Sequence, residues 1–226
     1  MKQLLNLLFP KHCVVCKKEG SFLCDDCLSL IEINPFRYCL CEKLKKEDKC
    51  NNCKNRYLDK IFSASDYNNK IVKTAIHKFK YSYIKELSLP FSFLILKHLE
   101  NVNCSIDTSF ILVPVPLSQK KIRKRGFNQS EEIAKNISKV TGLLLDSNCL
   151  IKIKENKSQA ELNKTERINN IKNVFKVTKE LKNKNILLID DVYTTGSTME
   201  ECSKELKKAG ANKVWGITIA REMVDL

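Results

Sequence analysis

The sequence predicts an α/β domain, a mainly parallel sheet flanked by helices, preceded by a small cysteine-rich module. Two observations carry this. The last third reads as apolar strand, hydroxyl-rich turn, helix, glycine stop and apolar strand, and a strand–helix–strand unit of that kind builds a parallel sheet. Eight of the eleven cysteines crowd between Cys13 and Cys53, in a stretch with too few apolar residues to hold a core of its own. The cysteines stop and β-type segments begin near 54–60, so residues 1–58 are expected to form the module and 59–226 the α/β domain.

Within the second unit, 61–67 reads as a strand bounded by the turn-prone Asn68-Asn69. Ile71, Val72, Ala75, Ile76 and Phe79 have helical spacing, and a second helix is expected over 83–99, with Pro90 as a kink or a break. The apolar run 110–115 is a short strand leading into Pro116. Helical spacing returns at Ile133, Ile137 and Val140 and stops at Gly142. The polar segment 152–172 reads as a loop with one short helix, and 174–177 as a strand. The end is clearest: strand 186–189, loop 190–198, helix 199–209 stopped by Gly210, and strand 213–220.

A length of 226 residues suits one full α/β domain with an appendage. No stretch approaches the ~20 apolar residues of a membrane span, so no membrane insertion is expected. The apolar opening 1–9 is cut short by Pro10 and Lys11 with no cleavage site after it, which points to a cytoplasmic protein. A formal net charge of +14 suits a partner rich in phosphate; it also suits a composition rich in lysine throughout.

In a reducing compartment, clustered cysteines bind metal rather than pair as disulfides. The pairs are Cys13 with Cys16, Cys24 with Cys27, Cys39 with Cys41 and Cys50 with Cys53. Zinc takes four thiolates in a tetrahedron, and each C-x-x-C turn presents two on one side of the ion. Four pairs can close one or two structural zinc sites, sequentially or crossed. Cys104, Cys149 and Cys202 are expected as core thiols, and His12, His77 and His98 as ordinary histidines rather than ligands.

The chemistry concentrates in Asn185-Ile-Leu-Leu-Ile-Asp-Asp-Val-Tyr-Thr-Thr-Gly-Ser-Thr198. A buried strand ends at two carboxylates, and a hydroxyl-rich turn opens the next helix. The unpaired N–H groups of that helix start are a ready anion site. Gly196 lets the backbone approach a phosphate, and Thr194, Thr195, Ser197 and Thr198 add hydroxyls. The carboxylates suit neighbouring ribose hydroxyls. No G-x-x-x-x-G-K-[ST] occurs, so this is not a Walker site.

This stretch resembles the signature of the type I phosphoribosyltransferases: four apolar residues, two acids, then a T-T-G-x-T-like loop. The resemblance implies that fold for the domain, with Asp190 and Asp191 on the ribose hydroxyls of phosphoribosyl pyrophosphate (PRPP) as the catalytic pair. Residues 194–198 would then hold its 5′-phosphate. Such enzymes also need a pyrophosphate loop after an earlier strand. Here Val113-Pro-Val-Pro116 is followed by Gln119-Lys-Lys-Ile-Arg-Lys-Arg125, five cations and no acid. Lys121, Arg123 and Arg125 are the candidates to neutralise pyrophosphate, with Mg²⁺ bridging its oxygens.

At Arg125-Gly-Phe-Asn-Gln129 the resemblance sharpens to the ComF family. Lys78-Phe-Lys80, Gln159 with Leu162, Arg167 with Asn170, Phe175 and the N-terminal cysteine module also fit it. Members are linked to natural transformation, handling incoming single-stranded DNA on the cytoplasmic side. That implies single-stranded DNA as a partner, for which Lys78, Lys80, Lys120 and Lys124 are candidate contacts. Phe79, Tyr81, Tyr83 and Phe127 are candidate stacking residues. An active phosphoribosyltransferase with a base or amine acceptor is the alternative. A third reading has the module docking a DNA-uptake helicase or inner-membrane channel.

Overall fold

A computed structural model describes residues 10–36, 39–40, 53–154 and 173–222. Five strands form one parallel sheet in the order β1-β7-β6-β2-β3, and β4 and β5 pair separately as a two-stranded antiparallel ribbon. The sheet strands are β1 (Lys60–Asp66), β2 (Phe110–Pro114), β3 (Leu144–Leu145), β6 (Asn185–Tyr193) and β7 (Lys213–Arg221). The ribbon is β4 (Leu150–Lys152) with β5 (Phe175–Val177). No described helix is long and apolar enough to cross a membrane.

The central strands read as continuous apolar runs because helices cover both faces, as parallel sheets require. Alternate side chains divide the core in two. Leu187, Ile189, Leu112, Ile217 and Phe62 face one layer, against α2 (Lys70–Tyr81), α3 (Ser88–Asn101) and α5 (Gln129–Thr141). Ile186, Leu188, Val113, Val214 and Ile61 face the other, against α6 (Ser197–Lys208) and the ribbon. Cys149 and Cys202 are buried in this second layer, and Cys104 packs at the edge of the first.

Local signals explain the helix limits. Asn69 caps α2 by accepting from the Ile71 and Val72 amides, and Val72, Ala75, Ile76 and Phe79 form its buried face. Gly142, at φ 74°, ends α5 where the sequence puts the stop, although Val140 is exposed. Pro90 acts differently from expectation. A 3₁₀ turn over Lys85–Leu87 precedes α3, so Pro90 falls in the first helical turn, where its missing N–H has no partner to lose.

The largest departure is β6. The sequence places a loop from residue 190, yet the strand runs on to Tyr193. Its pairing to β7 continues through Asp190↔Thr218, Val192↔Ala220 and Tyr193↔Arg221. On its other side pairing to β2 stops at Pro114↔Ile189, with a last bond from the Val115 amide to the Ile189 carbonyl at 2.9 Å. Residues 190–193 therefore have a neighbour on one side and a crevice on the other. The chain steps one way from β2 to β3 and the opposite way from β6 to β7, so this crevice is a topological switch point, where open α/β sheets bind ligands.

The cysteine module, with its short helix α1 (Asp25–Ser29), straddles the sheet. Cys13, Val14, Leu23, Cys24, Cys27 and Ile31 join the first core layer; Cys39, Leu40 and Cys53 join the second. His98, 1% exposed on α3, ties the first half down: its Nδ1 lies 2.9 Å from the Asn34 carbonyl, and Asn34 Nδ2 donates to the Ser63 carbonyl at 2.7 Å.

Candidate functional site

The Sγ atoms of Cys13, Cys16, Cys24 and Cys27 lie within 4.8 Å of one another, and Cys16 and Cys24 are 3.5 Å apart. A zinc ion with Zn–S bonds of about 2.3 Å has S···S edges of about 3.8 Å, so this cluster fits a tetrahedral metal. The first pair closes with the second, which resolves the sequential and crossed alternatives for this site. Burial works against ionisation of Cys13. The Cys24, Cys16 and Val15 amides directed at its sulfur outweigh it and bring the pKa down to about 6. Burial and the neighbouring Cys16, Cys24 and Cys13 thiols push Cys27 up to about 12. Cys39 and Cys53 stand 3.7 Å apart on the other side of the sheet; Cys41 and Cys50 lie outside the described residues.

The crevice at the end of β6 is a cleft of about 180 Å³. It is lined by Val115–Leu117 from the turn after β2, Lys121 and Arg125 from α4 (Gln119–Arg125), and Lys80 from α2. Lys152, Phe175, Asp190–Val192, Thr194 and Thr198 complete it. The basic run is thus a helix, capped by the Ser118 hydroxyl. Helical spacing turns Lys121 and Arg125, four apart, to the same side. Arg123, Lys120 and Lys124 are exposed and are not among the lining residues.

Charge is arranged unevenly in this cleft. Asp191 pairs with Lys80 at 2.9 Å, their side chains only 13% and 19% exposed. Burial opposes the Lys80 charge, but the adjacent Asp191 carboxylate wins and holds its pKa above the ordinary lysine value. Asp190 accepts from Ser130 Oγ at 3.1 Å and from the Asp191 amide at 2.9 Å. Burial, then the Asp191 charge, push its pKa up to about 7 despite those donors. Lys121 is shifted the opposite way. Although its side chain is exposed overall, desolvation within the cleft, then the Arg125 and Lys80 charges, lower its pKa. Four cations thus face two carboxylates, and one of those resists ionisation.

The hydroxyl loop closes the cleft. Gly196 takes φ 73° and precedes α6 without a side-chain cap. The Ser197 amide donates to Thr195 Oγ1 at 3.4 Å, and the next α6 amides, of Thr198 and Met199, precede the first intrahelical bond and suit an anion. Thr194 and Thr198 reach the cleft. Thr195 Oγ1 and Ser197 Oγ pair with each other at 2.8 Å, and Gly196 is buried against Tyr193.

Of the residues expected at nucleic acid, Lys80 sits inside the cleft with Asp191, and Lys78 lies partly buried on α2. Of the four candidate stacking aromatics, Phe79 is fully buried and Phe127 packs against the core. Tyr81 and Tyr83 are 50% and 64% exposed. The Arg125 guanidinium lies 5.4 Å from the Tyr81 ring centroid, joining Tyr81 to the rim of the cleft. Sequence reasoning named Phe175 only as a family landmark and missed Lys152 and Ser130 as neighbours of the site. Lys152 and Phe175 reach it through the pairing of β4 with β5, and that pairing, unlike the strand read over 174–177, has no local signature. Gln159, Leu162, Arg167 and Asn170 lie outside the described residues.

The Asp190 shift makes a stability prediction. Between about pH 4 and pH 7 the folded protein holds a proton there that the unfolded chain has released, so this group's contribution falls as pH rises through that window. Asp190→Asn keeps the acceptor oxygen and removes the charge. It is expected to melt higher than the wild type at pH 8, by on the order of 1–2 kcal/mol, with the gap closing towards pH 4. Equal melting temperatures at pH 8 would contradict this.

Residues 108–225 match the family model described as a phosphoribosyl transferase domain. Competence protein F of Haemophilus influenzae is 27% identical over 229 residues, covering 94% of this chain and 98% of that protein. Competence protein ComFC of Streptococcus pneumoniae is 28% identical, covering 91% and 90%. The DNA utilization protein YhgH of Escherichia coli is 32% identical over 143 residues, 62% of each chain.

Proposed function

Because the chain belongs to the ComF family, built on a phosphoribosyl transferase domain, we propose that its cleft binds the ribose-5-phosphate group of PRPP and that the protein handles single-stranded DNA during natural transformation. The observation that carries the first part is the pairing of a cationic corner with a carboxylate pair across one switch-point cleft. Lys121, lowered in pKa by its surroundings and by Arg125 and Lys80, gains from an incoming anion. The α6 amides with Thr194 and Thr198 suit the 5′-phosphate, and Asp190 and Asp191 accept from ribose hydroxyls. Lys121 and Arg125 face the pyrophosphate. Mg²⁺, when bound with PRPP, spreads the pyrophosphate charge, and the carboxylates with the ligand's oxygens form a donor set that suits it. Zinc at the four clustered thiolates has a structural part.

Calorimetric titration with PRPP and Mg²⁺ tests this. Binding is expected in the wild type, about 10- to 100-fold weaker in Lys121→Ala, as for the loss of one charge-assisted contact, and unchanged in Arg123→Ala. Equal weakening in both variants would point to a diffuse charge effect and count against the site.

The second part rests on the family, on the net charge of +14, on the exposed Tyr81 beside Arg125 and on the exposed Tyr83. The logarithm of single-strand affinity should fall linearly with the logarithm of salt concentration. An active phosphoribosyltransferase is the second reading, favoured by the near-neutral Asp190; acceptor-dependent pyrophosphate release would establish it.

A further inference from the structure

The second half of the cysteine module lies directly behind the phosphate loop. The Tyr193 hydroxyl donates to the Leu40 carbonyl at 3.0 Å, and Arg56 Nη1 reaches that carbonyl at 3.1 Å and the Tyr193 oxygen at 3.4 Å. Arg221 covers the Tyr193 ring, 5.1 Å from its centroid, and donates to the Cys39 carbonyl at 2.8 Å. At the next two residues after Arg56, Glu200 on α6 accepts from the Tyr57 amide at 2.8 Å and the Leu58 amide at 3.4 Å. Gly196 rests on the Tyr193 ring, which leaves no room for a Cβ. The residues flanking Cys39 and Cys53 therefore grip both the strand that enters the loop and the helix that leaves it. The two thiols, 3.7 Å apart, match one edge of a zinc–thiolate tetrahedron.

We propose that Tyr193 is a positioning residue through which the Cys39/Cys53 pair sets the geometry of the phosphate loop, so that metal at that pair and phosphate at the loop favour one another. Such coupling is reciprocal: whatever organises the thiol pair pre-forms the anion site, and an anion in the loop strengthens hold of the metal. The ligand half of the inference rests on the reading that this loop binds a phosphate; the geometric half does not.

The test uses the full zinc-loaded chain with Tyr193→Phe, Cys53→Ser and the double variant, and two readouts: amide hydrogen exchange over 194–199 without ligand, and affinity for ribose 5-phosphate. Tyr193→Phe keeps the ring under Gly196 and removes only the hydroxyl. Each single variant is expected to speed loop exchange at least about fivefold and to weaken ribose 5-phosphate about tenfold, with the double no worse than either, as for two members of one path. Additive effects, or unchanged exchange in Tyr193→Phe, overturn the proposal. If Cys53→Ser does not fold, Arg56→Lys, which weakens the hold on the Leu40 carbonyl and touches no thiol, replaces it: it should speed exchange in the wild type and add nothing in Tyr193→Phe, and additive effects overturn the proposal. Loop exchange that responds as expected in a protein that binds no ribose 5-phosphate would sink the phosphate reading and support the strap.

Discussion

Gly196→Ala is expected to lower affinity for ribose 5-phosphate by at least about 100-fold while leaving the metal content intact. Two penalties combine. At φ 73° an alanine costs about 1–2 kcal/mol in backbone strain alone. Its Cβ would also overlap the hydroxyl and Cζ of Tyr193. That ring cannot step aside, because its hydroxyl is bonded to Leu40 and Arg221 covers it. The loop must move instead, and the α6 amides leave the positions in which they converge on an anion. Calorimetry with ribose 5-phosphate and a thermal melt check this together. The melt should fall by a few degrees, since α6 keeps Met199, Cys202 and Leu206 in the core. Undiminished binding would show that the phosphate lies elsewhere.

Cys13→Ser is expected to release zinc from the first cluster and to make the protein aggregate. Structural zinc contributes on the order of 10 kcal/mol to small cysteine modules, comparable with the whole stability of a domain. Cys13 is fully buried, and its sulfur is one of four that lie within 4.8 Å of one another, so its loss leaves a buried site with three thiols. Val14, Leu23 and Ile31 are buried in the same layer as Leu94 and Phe91 of α3. Loss of the metal frees that face as well as the module. Metal analysis and light scattering on the purified variant check it; soluble, zinc-replete Cys13→Ser protein would show that this thiol is not required.

The elements with a strong local period were legible. The α2 residues Val72, Ala75, Ile76 and Phe79, the stop at Gly142 and the βαβ unit at the end all follow from patterns within about 15 residues. Pro90 and the end of β6 were not. A proline reads as a break wherever it falls in a helical period, and only the 3₁₀ turn before it makes it the start of α3. Two acids in a row read as the end of a strand, yet the parallel partner β7 keeps 190–193 extended.

By itself the sequence determined which chemistry the chain carries: eight clustered thiols in four close pairs, two acids ahead of a hydroxyl-rich turn, and a run of cations, each written in a few consecutive residues. Only the tertiary structure decided which of those groups meet. Lys80, Lys121 with Arg125, and Lys152 come from three separate places in the chain, and the helix period turns two of the five cations in the basic run towards Asp190 and Asp191. The physical reason is range. Backbone propensity and metal-ligand spacing act between near neighbours, whereas a cleft is made where two strands stop pairing, and that depends on the register of segments some 75 residues apart, as in Pro114↔Ile189.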